Sequence, residues 1–155
     1  MRLWGIAVLG DWLLRVRTWL GLHANGSRGD DRLGARGERA AAKFLKRLGY
    51  KIVARGVRSK LGELDIVAVD DRTVVFVEVK TRTDTDAGQP LDAVTPEKQR
   101  RLTQAALAFL KYRGLLEHRS RFDVVSVVWP ADSQEPAIDH IVNAFEAVGR
   151  GQMYR

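Results

Sequence analysis

The strongest constraint on the fold is a pair of runs with alternating apolar residues, 61–70 and 73–82, separated by a short polar break. Alternation with a period of two is typical of strands, and the break Asp70-Asp71-Arg72 between the runs predicts a β-hairpin. A two-residue loop at 71–72 and a four-residue loop at 70–73 give the same register, whereas a loop of odd length would shift it.

In the even-loop register, Asp65 faces Glu78 across the hairpin and Glu63 faces Lys80. Facing side chains lie about 4.5–5.5 Å apart at Cβ, and like charges in such positions are destabilising. A chain that accepts two facing carboxylates therefore needs a cation beside them. Glu78 and Lys80 share one face of their strand, because strand side chains repeat every two residues.

Two carboxylates beside a lysine match the requirements of phosphodiester hydrolysis. Carboxylate oxygens hold Mg²⁺ or Mn²⁺, the ion stabilises developing charge and lowers the pKa of a water molecule, and the ammonium of Lys80 can orient that water or hold the phosphate. The alternative is that Glu63, Asp65, Glu78 and Lys80 form cross-strand salt bridges on a solvated face, and the spacing alone does not distinguish the two.

The other elements predict one α/β domain over residues 33–148, a mixed β-sheet flanked by helices. Before the hairpin we expect a helix that ends at Gly49, with Ala41, Phe44, Leu45 and Leu48 on its buried face, then a strand over 50–54 and a basic connection over 55–60. After the hairpin come a mobile loop over 83–90 and a helix that is capped by Thr95, starts at Pro96 and has Gly114 near its end. The chain then continues with a central strand over 121–129, an edge strand from Ala137 to Val142, and a short helix capped by Asn143 and ending at Val148. The buried stripe of the second helix is Leu102, Ala105, Ala106, Phe109 and Leu110. Residues 149–155 are predicted to be a frayed tail.

Residues 1–32 are predicted to be a segment apart from this domain. Three tryptophans within residues 1–22 recur with valines at roughly helical spacing, which predicts an amphipathic helix that contacts a membrane surface or a partner protein. The alternatives are an appendage or a start codon placed too early. No run approaches the ~18 apolar residues of a membrane-spanning helix, the segment makes a poor signal peptide, and residues 23–31 have the composition of a linker.

The charge balance points to a polyanionic partner. Lysine and arginine total 26 against 19 aspartates and glutamates, a formal net charge of +7. Nucleic acid is the commonest partner of such proteins and an anionic membrane surface is second, while the alternative is a solubilising basic surface. Cysteine is absent, which excludes disulfides and thiolate metal sites and is typical of a cytoplasmic protein.

Asp65 followed by Glu78-Val79-Lys80 resembles the PD-(D/E)xK motif of the restriction-endonuclease-like superfamily, although Leu64 replaces the motif's proline. Further motifs occur in a matching order: Gly34, Gly37-Glu38, Gly49-Tyr50, Gly62 to Asp65, Phe76 to Arg82, Pro90, Val94, Lys98-Gln99 and Arg121 to Asp123. Over about residues 33–148 the chain thereby resembles the bacterial YraN family of endonuclease-like proteins, which is similar in fold to archaeal Holliday-junction resolvases.

This resemblance implies a Mg²⁺- or Mn²⁺-dependent endonuclease that acts on DNA, including branched structures. Because the resolvases of similar fold act as dimers, it also implies a homodimer. It implies that Asp65, Glu78 and the carbonyl of Val79 are metal ligands, that Lys80 is the motif lysine, and that Glu38 is a further glutamate near the metal. The spacing agrees for Glu38, which shares a helical stripe with Ala41, Leu45 and Leu48 and should point inward. The alternative is an ordinary exposed glutamate.

Several cations are predicted to contact a nucleic-acid backbone. Lys98 lies in the first turn of its helix, where a cation opposes the helix dipole, so a phosphate or a carboxylate is expected nearby; the alternative is a lysine that extends to solvent. Gln99 is a weaker candidate for a bond to water or to the DNA backbone. Further predicted contacts are Arg39, Arg58, Lys60, Arg82 and Arg121, although Arg121 could instead pair with Asp123. Such dispersed cations favour backbone binding over base recognition, and the main rival function is a nucleic-acid-binding module that cleaves slowly or not at all.

Overall fold

The computed structural model describes residues 30–83 and 90–149. The elements within these ranges are helix α1 (Asp30–Arg47), strands β1 (Lys51–Ser59), β2 (Gly62–Asp70) and β3 (Thr73–Arg82), a 3₁₀ turn (Pro90–Ala93), helix α2 (Pro96–Arg113), and strands β4 (Ser120–Val128) and β5 (Ala137–Phe145). The predicted amphipathic helix within 1–22, most of the predicted loop over 83–90 and nearly all of the predicted tail lie outside the described residues.

The five strands form one mixed sheet in the order β1-β2-β3-β4-β5. Only β3 and β4 are parallel, and the other neighbours are antiparallel. A parallel pair needs a long crossover connection, which α2 supplies here. The predicted α/β architecture of a mixed sheet flanked by helices is confirmed, and it is consistent with a restriction-endonuclease-like fold.

The two helices cover opposite faces of the sheet. Val75 and Val77 of β3 pack in the cluster that includes Ala41 and Leu45 of α1. Val74 and Phe76 belong to the cluster built around α2, and the ring centroids of Phe76 and Phe109 lie 5.9 Å apart. Because β3 is buried on both faces, its sequence is nearly continuous in apolar residues. No helix in residues 30–83 or 90–149 is long and apolar enough to cross a membrane.

The predicted hairpin is confirmed, with β2 and β3 joined through Asp71 and Arg72. Its ladder runs from Asp70 opposite Thr73 to Ile66 opposite Val77, which is the predicted register. The ladder ends there, because the two strands separate beyond Ile66. The two predicted facing pairs beyond it, Asp65 with Glu78 and Glu63 with Lys80, are therefore not part of the ladder. Glu63 instead lies opposite Arg58 of β1.

The predicted limits of α2 are confirmed. The hydroxyl of Thr95 accepts a hydrogen bond from the Lys98 amide at 3.3 Å, and Gly114 adopts a left-handed φ of 68° at the other end. The predicted apolar stripe is buried. Helix α1 begins at Asp30, inside the predicted linker, and Leu48, expected on its buried face, is 54% exposed because it follows the last helical turn.

Two other segments differ from the prediction. Strand β1 continues through the predicted basic connection to Ser59, because residues 55–59 pair with β2. Strand β4 is internal and buried on both faces and β5 is an edge strand, as predicted. However, β5 runs on to Phe145, and Asn143 does not cap a helix. Its φ of 52° lies at an irregularity in the pairing of β4 with β5, and its amide donates a hydrogen bond to Asp123 Oδ1 at 2.9 Å.

Candidate active site

The candidate site lies where β2 and β3 separate. Beyond the last ladder pair, the amide of Val79 on β3 donates to the side chain of Asp65, with 2.8 Å between N and Oδ2. The carboxylate thus takes the place of a backbone acceptor. Leu64 packs in the cluster of α2 and Ile66 in the cluster of α1, so the regular alternation of β2 is broken at Asp65.

A glycine in β1 accompanies this irregularity. Gly56 falls opposite Asp65, between the pairs that join Arg55 to Ile66 and Val57 to Leu64. Its φ of 57° lies in the left-handed region that favours glycine. In the sequence this glycine lies inside a basic run that predicts a connection, so the run does not indicate the irregularity at Asp65.

Glu78 is the buried centre of the site. It is 5% exposed, and its Oε1 lies 2.9 Å from Lys80 Nζ and 3.1 Å from Lys98 Nζ. Its other oxygen, Oε2, is buried and has no hydrogen-bond partner among residues 30–83 and 90–149. A buried acceptor without a partner costs about 1–3 kcal/mol, so Oε2 is a position at which a ligand would be stabilising.

The same surroundings disfavour the ionised form of Asp65. Burial, followed by the Glu78 carboxylate, raises the pKa of Asp65 to about 7, although the Val79 amide lowers it. Glu38 also raises the pKa of Asp65 and Lys98 lowers it. A cation bound here would offset the neighbouring negative charge and lower the pKa of Asp65, since a nearby opposite charge favours the ionised carboxylate.

Glu38 reaches this region because α1 approaches β3 unusually closely. Gly37 is buried, and a Cβ at its position would overlap the hydroxyl of Thr81 on β3. Glu38 is partly buried, in agreement with the predicted inward stripe. Burial raises the pKa of Glu38, Arg55 opposes the effect, and Glu63 and Glu78 add to it.

The donor atoms are suitable for a hard divalent cation. Carboxylates are the preferred ligands of Mg²⁺ and Mn²⁺, and the unpartnered Glu78 Oε2 beside the strained Asp65 fits such an ion. In the described part of the chain, however, no three aspartate, glutamate or histidine side chains are grouped so that they could hold a metal. Ligation by Glu38 and by the Val79 carbonyl stays a prediction.

The two candidates at the start of α2 have different surroundings. The sequence predicted a phosphate or a carboxylate near Lys98, and the structure brings its ammonium to the carboxylate of Glu78. The side chain of Gln99 donates to the Val94 carbonyl, with Nε2 and O 3.1 Å apart. Gln99 therefore anchors the segment that leads into α2.

The remaining predicted nucleic-acid contacts are dispersed. Arg39 and Lys60 are exposed, Arg58 Nε lies 3.0 Å from Glu63 Oε1, and Arg82 is the last residue of β3. Their contact with nucleic acid stays a prediction.

Arg121 lies away from Lys80 along the sheet. It is in register with Val75, whereas Lys80 is in register with Ser126, a separation of roughly 16 Å along β4 at about 3.3 Å per residue. Its guanidinium binds Asp123, Asp70 and Tyr50, with N···O distances of 2.7–3.3 Å. Arg121 thus pairs with Asp123, the alternative that the sequence left open, and its contact with nucleic acid stays a prediction.

Comparison with known proteins identifies the family. The profile of a family described as "Uncharacterised protein family UPF0102" matches residues 37–127. A UPF0102 protein of Rhodopirellula baltica is 44% identical over 144 residues, which cover 90% of this chain and 86% of that protein. A UPF0102 protein of Geobacter sulfurreducens is 50% identical over 121 residues, with 78% and 94% covered, and one of Geotalea daltonii is 45% identical over 125 residues, with 81% and 98% covered. The chain belongs to the UPF0102 family, the family of YraN.

Proposed function

We propose that this protein is a Mg²⁺- or Mn²⁺-dependent endonuclease of the restriction-endonuclease-like superfamily that hydrolyses phosphodiester bonds in DNA. The observation that carries the proposal is the buried Glu78 beside an Asp65 whose pKa is raised. One oxygen of Glu78 contacts two lysines, and the other has no hydrogen-bond partner in the described part of the chain. A purely structural ion pair would be expected to satisfy both oxygens of a buried carboxylate.

In this proposal Asp65 and Glu78 hold the divalent ion. The bound ion supplies charge stabilisation at the phosphate and a water of lowered pKa. Val79 fixes the orientation of Asp65 through its amide, and Glu38 adds negative charge from α1. Lys80 then serves the scissile group as a phosphate or water contact, and Lys98 is released from Glu78 to neutralise substrate charge.

The alternative is a nucleic-acid-binding module that does not cleave, and one observation favours it. Lys80 and Lys98 already neutralise Glu78 within the protein. In this alternative, Glu78 and the two lysines stabilise the fold, and cations elsewhere on the surface bind the polyanion.

The partners and location that accompany the proposal are also inferences. DNA is the proposed polyanion, branched structures are its proposed form, and a homodimer is the proposed assembly. The proposed location is cytoplasmic, and residues 1–22 are proposed to contact a membrane surface or a partner protein.

A cleavage assay with matched binding measurements separates the two functions. Labelled single-stranded, duplex, flap and four-way-junction DNA are incubated with the protein in Mn²⁺, in Mg²⁺ and in EDTA. We expect metal-dependent cleavage of at least one substrate. We also expect a loss of at least about a hundredfold in Asp65→Asn, Glu78→Gln and Lys80→Met, because the first two remove a charge that would hold the ion and the third removes the cation that contacts the phosphate or the water.

The matched control is Glu97→Gln, which removes one carboxylate from an exposed position in the first turn of α2. It should cleave like the wild type. Salt-sensitive binding of the same DNA without cleavage in either metal would support the binding module and contradict the nuclease.

A further inference from the structure

An apolar groove opens between the β1–β2 turn and α2. Its volume is about 250 Å³, and apolar side chains line most of it, among them Val57, Leu64 and Phe109. The β1–β2 turn fits closely against the helix here, since a Cβ on Gly62 would lie 3.4 Å from the Arg101 carbonyl. Tyr112 and Arg113 contribute to the wall farther along α2.

The groove is next to the candidate active site. Leu64, in its wall, immediately precedes Asp65 in β2. On the helical side, Ala105 of the wall lies about two turns, or roughly 10 Å, along α2 from Lys98. A strand held at Glu78 and Lys98 could therefore place a neighbouring nucleotide in the groove.

The far wall of the groove combines an exposed aromatic ring with a cation. Tyr112 is 72% exposed, the highest value among the exposed large hydrophobic residues of the described chain. The Arg113 guanidinium lies 5.4 Å from the Phe109 ring centroid and 5.8 Å from that of Tyr112, and its Nε is buried with no hydrogen-bond partner among the residues that the structure describes. Aromatic rings and arginine are the groups on which proteins stack the bases of single strands.

The size and charge of the groove favour one occupant. Its volume is below the range of about 300–1,000 Å³ that is usual for drug-sized ligands, so it has room for a group about the size of one base. Lys60 and Arg101 are exposed on the two elements that form the rim, and they suit the phosphates on either side of such a group. Arg113 lines the groove, and a guanidinium is a group on which a base stacks. A base within a duplex is not available for these contacts.

We propose that this groove binds an unpaired base of the nucleic-acid strand held at the candidate active site, so that the substrate class is nucleic acid with a single-stranded portion. The inference rests on the proposed function for the strand's position and names the substrate class of that site.

The test measures binding in EDTA, so it does not depend on cleavage. Fluorescence anisotropy is recorded with a labelled single strand and with a blunt duplex of the same length. Tyr112→Ala should weaken single-strand binding by about fivefold or more, the lower end of base–aromatic stacking, and should change duplex binding little. Tyr112→Phe keeps the ring and should bind the single strand like the wild type.

Two variants with the same change in charge distinguish binding in the groove from general electrostatic attraction to the nucleic acid. Arg113→Ala and Lys111→Ala each remove one positive charge from α2, but Lys111 is exposed and lies outside the groove. Arg113→Ala should reduce binding of the single strand more than binding of the duplex, whereas Lys111→Ala should reduce both slightly and equally. Thermal unfolding of each variant verifies that it is folded at the assay temperature.

The remaining outcomes overturn the inference. If Tyr112→Ala weakens single-strand and duplex binding equally, the groove does not select an unpaired base. If it weakens neither, the groove does not contact the nucleic acid. A dimer that dissociates in Tyr112→Ala during sedimentation, with single-strand binding unchanged, would assign the groove to a second copy of the chain. If the wild type binds neither form of DNA, the proposed function fails as well, whereas metal-dependent cleavage without single-strand preference contradicts this inference alone.

Discussion

At the residue scale, the protonation of Asp65 links the candidate site to stability. The pKa of Asp65 in the folded protein is raised to about 7 by burial and by Glu78, whereas an unfolded aspartate has a pKa of about 3.9. Between about pH 4 and pH 7 the folded state therefore holds more protons at this group than the unfolded state. The stability that Asp65 contributes is fully present below pH 4 and is lost as the pH rises through 7.

Replacement of Asp65 by asparagine should remove this pH dependence. Asparagine cannot ionise, and its side-chain oxygen can still accept the hydrogen bond from the Val79 amide. In EDTA we expect Asp65→Asn and the wild type to have similar free energies of unfolding near pH 4, and the variant to be the more stable at pH 8. Urea denaturation at four pH values measures the difference. Parallel curves for the two proteins would show that Asp65 titrates normally.

At the element scale, the close approach of α1 to β3 positions Glu38. A glycine inside a helix costs roughly 1 kcal/mol relative to alanine, so the buried Gly37 needs a reason in the packing. The reason is Thr81, whose hydroxyl would overlap a Cβ at position 37. The contact brings α1 to the end of β3 that follows Glu78 and Lys80.

The two glycines of α1 offer a matched pair for this argument. Gly34→Ala should raise the free energy of unfolding by up to about 1 kcal/mol, because no atom of the described residues lies within 4 Å of its Cβ position. Gly37→Ala should lower it, by about 1–3 kcal/mol as is typical of overpacking, since α1 must move away from Thr81. Urea denaturation of both variants tests the contrast. Equal stabilisation by the two alanines would contradict the close approach.

The elements that could be predicted from the sequence are those specified by local signals. The polar break and alternation of the hairpin define its register, and Thr95, Pro96 and Gly114 define the ends of α2. Asn143 was assigned wrongly because its local preference for a helix cap is overridden by a hydrogen bond to the buried Asp123, whose position depends on the assembled sheet. The overlap that makes Gly37 necessary is equally invisible until α1 lies on β3.

The candidate site likewise contains residues that the sequence predicts and contacts that it does not predict. Asp65, Glu78 and Lys80 are visible in the sequence because a strand period and a resemblance both select them. The bond from Lys98 to Glu78 joins residues of α2 and β3, and the sequence indicates only that an anion is needed near Lys98. The separation of β2 from β3, which turns Asp65 towards the Val79 amide, has no clear local signal.

At the scale of the whole molecule, two buried carboxylates of the sheet have different surroundings. One oxygen of Glu78 at the candidate site has no hydrogen-bond partner among the described residues. Asp123 is in register with Val77, the residue before Glu78 on β3, and both oxygens of this fully buried carboxylate have partners: Oδ1 accepts from Arg121 Nε and the Asn143 amide, and Oδ2 contacts Arg121 and, at 2.9 Å, His140 Nε2. Arg121 also reaches Asp70 of β2. This network therefore connects β2, β4 and the edge strand β5.

The contrast predicts that stability and binding can be separated. Asp123→Ala leaves the partly buried Arg121 with one carboxylate partner fewer, and breaking a buried ion pair costs about 3–5 kcal/mol. We expect a correspondingly lower free energy of unfolding, while Asp132→Asn, at an exposed turn position, should be neutral. The hydrogen-bond partners described for Asp123 are Arg121, His140 and Asn143, none of which belongs to the candidate site. Asp123→Ala should therefore bind DNA with wild-type affinity at temperatures where urea denaturation shows it to be folded. Loss of binding by the folded variant would instead show that the Asp123 network and the candidate site are coupled through β4, which carries Asp123 and pairs with the Glu78–Lys80 segment of β3.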